Sequence, residues 1–147
     1  MPIRSAQQGD VAAIEELLRA DGLPIQDCHE HLATFLVVEQ GGALIGVGGL
    51  ECHGTLGLIR SIAVERDHRG TGMGRRIHEE LQRLAIAKGI ERLYLLTETA
   101  QYYFAHLGYR VIAREQVPAV IQGTRQFRGL CPDTATVMFR HIGGADA

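Results

Sequence analysis

Apolar residues recur along this chain with both strand and helix periods, which predicts alternating short strands and helices. Ile3 to Ser5 reads as a short strand, and Asp10 is placed to N-cap a helix whose Val11, Ile14, Leu17 and Leu18 share one face. Gly22 and Pro24 end it. After a polar stretch around His29 to His31, Phe35-Leu36-Val37-Val38-Glu39 and Leu44-Ile45-Gly46-Val47 flank Gly41-Gly42, a hairpin signal. A third strand follows directly and ends at Glu51. Leu56 to Val64 reads as a long central strand, and Met73, Ile77, Leu81 and Leu84 form a helical stripe that stops at Lys88-Gly89. Leu93 to Leu96 is another apolar strand, Ala100 to Leu107 a short helix, and Val111-Ile112 and Thr136 to Phe139 the closing strands. Arg114 to Pro132, interrupted by Pro118, Gly123, Gly129 and Pro132, carries no regular period.

The central strand runs into Arg69-Gly70-Thr71-Gly72-Met73-Gly74 at the opening of a helix. Helix N-termini leave backbone N–H groups unpaired and carry partial positive charge, and glycines let a phosphate approach the main chain. Two phosphate motifs fail on spacing. A dinucleotide fingerprint needs a third glycine three residues after Gly72, where Arg75 stands, and a Walker loop needs a Gly-Lys pair that the chain lacks. What remains is Arg-x-x-Gly-x-Gly at Arg69, Gly72 and Gly74. It resembles the acetyl-CoA pyrophosphate loop of the GCN5-related N-acetyltransferases (GNAT family).

A second family pattern follows the fifth strand, where Thr97, Ala100, Phe104 and Gly108-Tyr109 occupy offsets at which relatives often show Asn, Ala, Tyr and Gly-Phe. Phe104 is the departure that matters chemically. In many relatives a Tyr there protonates the departing CoA thiolate, and phenylalanine has no proton to give. The resemblance implies an α/β (α+β) fold with a mixed, mostly antiparallel sheet of six to seven strands and helices on both faces, over a single domain of residues 1–147. It also implies acetyl-CoA as co-substrate, held by Ile62, Ala63, Val64, Arg69, Gly70, Thr71, Gly72, Met73, Gly74 and Arg75, with Thr97 and Phe104 nearby. The Ile62 amide would face the thioester, where a preorganised N–H is worth ~3 kcal/mol against developing oxyanion charge.

Acyl transfer also needs a neutral amine, whose conjugate acid has a pKa of ~10 in water, so a base is required. Glu51, His53 and Glu98 are the candidates, the two glutamates each standing at a strand end. Tyr103 is a substitute acid, although one residue of shift turns a helical side chain by roughly 100° from the Phe104 direction. Arg60 is the odd charge among Leu58, Ile59, Ile62 and Val64. Two readings stand: it clamps a substrate carboxylate, or it pairs internally with Glu51 or Glu98, and both hold if the substrate displaces that pair. Arg125 and Arg128 offer a second anion contact. Short segments such as Leu58 to Val64, Val117-Pro118 and Leu130-Cys131-Pro132 resemble acetyltransferases associated with arsenic resistance and the acetyltransferase domain of N-acetylglutamate synthase. Those relatives imply a small, acidic, amino-acid-like amine, an arsenical or phosphinate analogue included. A CoA-binding sensor without turnover is the alternative.

Composition limits the other classes. At 147 residues and 46% hydrophobic, the chain suits one core, and a net charge of −2 without like-charge runs argues against nucleic acid. No stretch reaches the ~18 apolar residues of a membrane span, and the start lacks a signal peptide's apolar region, which suggests a cytoplasmic protein. Cys28, Cys52 and Cys131 lack CxxC spacing and read as reduced thiols. Cys28-His29-Glu30-His31 lacks the second ligand pair of a structural zinc site and reads as a polar helix end, so no metal is expected. Cys131-Pro132 reads as a small residue before a turn. Family members often form homodimers through a late strand.

Overall fold

Seven strands form one sheet in the computed structural model, which describes residues 2–130 and 134–143. They are β1 (Ile3–Ser5), β2 (Phe35–Gln40), β3 (Ala43–His53), β4 (Leu56–Val64), β5 (Arg92–Thr97), β6 (Arg110–Val111) and β7 (Thr136–His141). Their order in the sheet is β1-β2-β3-β4-β5-β7-β6. Pairing is antiparallel for β1 with β2, β2 with β3, β5 with β7 and β6 with β7, and parallel for β4 with β5. The helices are α1 (Val11–Ala20), α2 (Met73–Ala87), α3 (Gln101–His106) and α4 (Ala119–Gln122). None of the described helices is long and apolar enough to cross a membrane.

The backbone groups into two compact units, Met1–Glu51 with Ile59–Leu84, and Cys52–Leu58 with Ala85–Ala147. In the first, Gly41 and Gly42 take φ of +59° and +85°, the left-handed pair that a two-residue hairpin turn requires. The strand expected to follow Val47 separately is instead part of β3, which runs unbroken for 11 residues. Its glycines do not interrupt it because neighbouring side chains fill the space they leave. A Cβ on Gly48 would stand 2.5 Å from Ile77 Cγ2 and 2.9 Å from Leu81 Cδ1 of α2, and one on Gly49 would stand 2.3 Å from the Phe35 ring. On the opposite face Val47 joins Phe35, Val37, Ala63 and the buried Ile14 and Leu18 of α1. Helices therefore cover both faces of this part of the sheet.

Asp10 precedes α1 as expected, yet its side chain makes no cap bond to that helix. The carboxylate accepts from the Gln7 amide (2.7 Å) and from Arg4 (2.8 and 3.0 Å). The Arg4 hydrogen bonds hold the Asp10 carboxyl below its ordinary range. That contribution is present near neutral pH and is lost as pH falls through the lowered folded value.

In the second unit, β5 pairs along its whole length with β7, from Arg92 opposite His141 to Thr97 opposite Thr136. Leu58, Tyr94, Val117, Ile121 and Val137 form its buried cluster. The segment without a sequence period folds as a 3-10 turn at Arg114–Gln116, then α4, then a π-helical turn at Gln126–Leu130. Cys131 and Pro132 lie outside the described residues.

Replacing Gly48 by Val should cost about 2 kcal/mol, because α2 must move or adopt strained rotamers to admit the added carbons. Urea titration of the two proteins measures this directly.

Candidate active site

Four polar side chains of the first unit converge around Arg60. Its guanidinium donates to Asp27 through Nη1 (2.8 Å) and Nη2 (2.6 Å), to Glu51 through Nη1 (2.7 Å), and to Ser61 Oγ through Nε (3.1 Å). Only about 1% of its side chain is exposed. Asp27 and Glu51 are equally enclosed, and the Phe35 ring centroid lies 5.7 Å from the guanidinium carbon. Burial works against the Arg60 charge, but the bonds and charge of Asp27, followed by those of Glu51, outweigh it and hold Arg60 above its ordinary value. His31 closes the cluster, with Nε2 3.6 Å from Glu51 Oε1 and 3.7 Å from Asp27 Oδ2. Its side chain is a quarter exposed.

Sequence reasoning anticipated the pair with Glu51 and missed Asp27 and His31. They stand around a 3-10 segment, Cys28–Thr34, whose neighbour on β3 is distant in sequence, so no local spacing signals them. Carboxylates of the chain itself occupy the guanidinium, so a substrate carboxylate would reach Arg60 by displacing them. Glu51, a candidate base expected at a strand end, lies inside β3, which continues to His53, and is buried against Arg60. Donor atoms of Asp27, His31 and Glu51 lie within 4.8 Å of one another, the spacing of a metal ligand set, with Arg60 supplying a cation in the same cluster. Cys28 beside them is buried, and burial pushes its thiol up, away from a reactive thiolate.

Next to Arg60, Ser61 has φ +60°, the one positive φ outside glycine among the described residues. A left-handed non-glycine residue costs roughly 1–2 kcal/mol. It also breaks the strand's two-residue period. Arg60 and Ala63 share the face of Phe35 and α1, whereas Ile62 lies on the α2 side, its Cγ1 3.4 Å from where a Gly48 Cβ would be. The Ile62 amide follows this kink directly.

After Val64 the chain makes a 3-10 turn at Arg66–His68 and enters α2 through the glycine loop. Gly70 and Gly72 have φ of +78° and +84°, and a Cβ at either would meet nothing within 4 Å. The glycines are thus set by backbone conformation and front open space. The first helical bond runs from Arg76 N to Gly72 O (3.1 Å), so the amides just inside α2 have no carbonyl within the helix to bond. Arg69 is not poised as an unengaged cation. It pairs with Asp21 at the end of α1 and donates to Val64 O (3.2 Å), pinning the loop, while Thr71 Oγ1 donates to His68 O (2.6 Å). Arg75 is exposed and pairs with Glu79 one turn on, and Met73 is buried.

The second unit carries the remaining candidates. Thr97 Oγ1 accepts from the Ala100 amide (2.9 Å) and so shapes the entry to α3. Phe104 stacks edge-on against Tyr103 and Tyr109, at centroid distances of 5.3 and 5.8 Å. Tyr109 is 4% exposed, and burial pushes its phenol above the ordinary value. Gly108 has φ +98° with Arg140 packed against it, and Arg140 Nη1 donates to Leu107 O (2.7 Å). Glu98, Arg125 and Arg128 are exposed, and Tyr103 is 41% exposed.

A mixed, mostly antiparallel sheet whose strand β4 feeds a glycine loop at the start of α2 has the architecture of an N-acetyltransferase fold. The acetyltransferase (GNAT) domain profile matches residues 31–111, and the chain belongs to that family. It is 44% identical over 54 residues to mouse N-alpha-acetyltransferase 80, covering 37% of this chain and 17% of that protein. It is 26% identical over 125 residues to the amino-acid acetyltransferase of Pasteurella multocida, covering 79% of this chain and 28% of that protein. Among solved structures, N-acetylglutamate synthase from Neisseria gonorrhoeae, complexed with coenzyme A and N-acetyl-glutamate, superposes with a TM-score of 0.84 at 23% identity, over 97% of this chain and 35% of the other. The chain spans about a third or less of the length of these relatives.

Replacing Arg60 by Met should cost about 3–5 kcal/mol, because it strands two buried carboxylates. Urea titration of the variant against the parent protein measures the loss.

Proposed function

We propose that this protein transfers the acetyl group of acetyl-CoA to the amine of a small, acidic, amino-acid-like substrate by direct attack on the thioester. The observation that carries the reading is the pair of left-handed glycines, Gly70 and Gly72, facing open space at the mouth of α2, immediately downstream of the kinked β4. Family membership supports acetyl transfer, and the amino-acid acetyltransferase relative supports an amino-acid-like acceptor. The domain would act as one unit over residues 1–147, in the cytoplasm.

In this scheme the pyrophosphate binds the amides of Gly70 to Gly74, with Arg75 and Arg76 adding positive charge nearby. The Ile62 amide donates to the thioester oxygen. The acceptor amine, freed of its proton by Glu98 directly or through water, attacks the carbonyl carbon; a C–N bond forms, the C–S bond breaks, and CoA leaves as thiolate. A thiol pKa of ~8.5 makes that thiolate a tolerable leaving group near neutral pH, so Phe104 in place of a phenol does not stop the reaction. Tyr103 is the nearest phenol in sequence to return a proton. Since Arg60 is committed to Asp27 and Glu51, the acceptor's acidic group falls to the exposed Arg125 and Arg128.

Free-CoA release in a thiol-trapping assay, with acetyl-CoA and a panel of amino acids and their phosphonate, phosphinate and arsenical analogues, tests the activity. Turnover with an acidic amine is the expected result, whereas tight acetyl-CoA binding without release for any amine would favour a CoA sensor. Gly72→Val should weaken acetyl-CoA binding by about 10-fold or more, ~1.4 kcal/mol, by filling the pyrophosphate space and opposing the left-handed turn. Titration calorimetry reads that change.

A further inference from the structure

Ser61 holds an unfavourable backbone conformation with no turn to require it, in the middle of a strand. Such outliers persist only where surrounding structure over-determines them, and they concentrate at functional sites. Here the surrounding structure is visible. Ser61 Oγ accepts from Arg60 Nε, and the rest of that guanidinium is fixed by Asp27 and Glu51, each almost fully buried. The next amide along the chain is that of Ile62. We propose that Asp27, Arg60 and Ser61 form a positioning relay that sets the direction of the Ile62 N–H for the thioester oxygen, so that the buried ion cluster serves catalysis without touching substrate. This inference rests on the acetyl-transfer reading above.

The physical logic is rigidity. A serine hydroxyl alone rotates freely, and a left-handed residue alone relaxes toward the extended region. Tying the hydroxyl to a guanidinium that cannot rotate removes both freedoms at once. A donor aimed in advance needs no reorganisation as oxyanion charge develops. Two other elements, the 3-10 segment after Asp27 and strand β3 through Glu51, hold the guanidinium and so reach the same amide.

Ser61→Gly separates positioning from folding, because glycine accepts φ +60° without strain yet has no hydroxyl. The variant should be at least as stable as the parent protein while kcat falls about 10- to 100-fold, with KM for acetyl-CoA unchanged. Arg60→Lys, which keeps the charge but loses the planar Nε–H donor, should give the same kcat loss. In isotope-edited infrared spectra of bound acetyl-CoA, the thioester carbonyl band should move toward its solution frequency in Ser61→Gly. Parent-like kcat and carbonyl frequency in Ser61→Gly would overturn the relay, as would a kcat loss matched by lost stability. Failure of the parent protein to bind acetyl-CoA would instead overturn the reading on which the relay rests.

Discussion

The guanidinium of Arg60 is the point on which the first unit depends. It is buried in a strand, where an unpaired charge would be prohibitive, and it is acceptable only because Asp27 and Glu51 take its donors with short, well-directed bonds. The three residues come from separate places in the chain: a 3-10 segment after α1, strand β3 and strand β4. Such a cluster adds little net stability over a well-packed apolar replacement, since desolvation of the ions offsets much of their attraction. What it adds is definition, because each partner has one arrangement in which every charge is answered. The quarter-exposed His31 imidazole stands beside both carboxylates, 3.6 Å from Glu51 and 3.7 Å from Asp27.

Glycine serves two opposite purposes around this centre. At Gly46 and Gly48 it subtracts volume so that α2 can lie close on β3, with Met73, Ile77 and Leu81 occupying the space where side chains would stand. At Gly70 and Gly72 nothing lies within reach of a Cβ, and the residue supplies backbone conformation and an unobstructed approach. The two uses are coupled, since the same helix is seated by the first pair and opened by the second. The start of α2 is therefore seated on β3 by packing. Arg69 adds a tie from the loop to Val64 O and to Asp21.

Much of the architecture was legible because periodicity reports which face of an element is buried. The β4 boundaries, the end of α2 just before the left-handed Gly89 and the Gly41-Gly42 hairpin all follow from local signals. The continuity of β3 was not legible, because glycines that normally punctuate a strand are here filled from α2 and Phe35, a tertiary effect. The site divides in the same way. The glycine loop is a run of neighbouring residues whose left-handed turns are signalled locally, whereas the Arg60 cluster joins Arg60 to Glu51, 9 positions away, and to Asp27, 33 positions away, and Ser61's conformation leaves no trace in its identity.

That division bears on the missing phenol at Phe104. In the second unit Phe104 is an edge-packed ring between Tyr103 and Tyr109, and Tyr109 is itself buried under a turn locked by Arg140. A hydroxyl at 104 would have to share that aromatic packing, so the position is organised for shape. In the proposed transfer the phenylalanine is tolerable because a leaving thiolate needs less help than an alkoxide. The demand then shifts to the other charge that develops, on the carbonyl oxygen. On the proposed mechanism, an enzyme without that acid gains most from a rigidly aimed amide, and a left-handed serine tied to a buried guanidinium is a means of holding one.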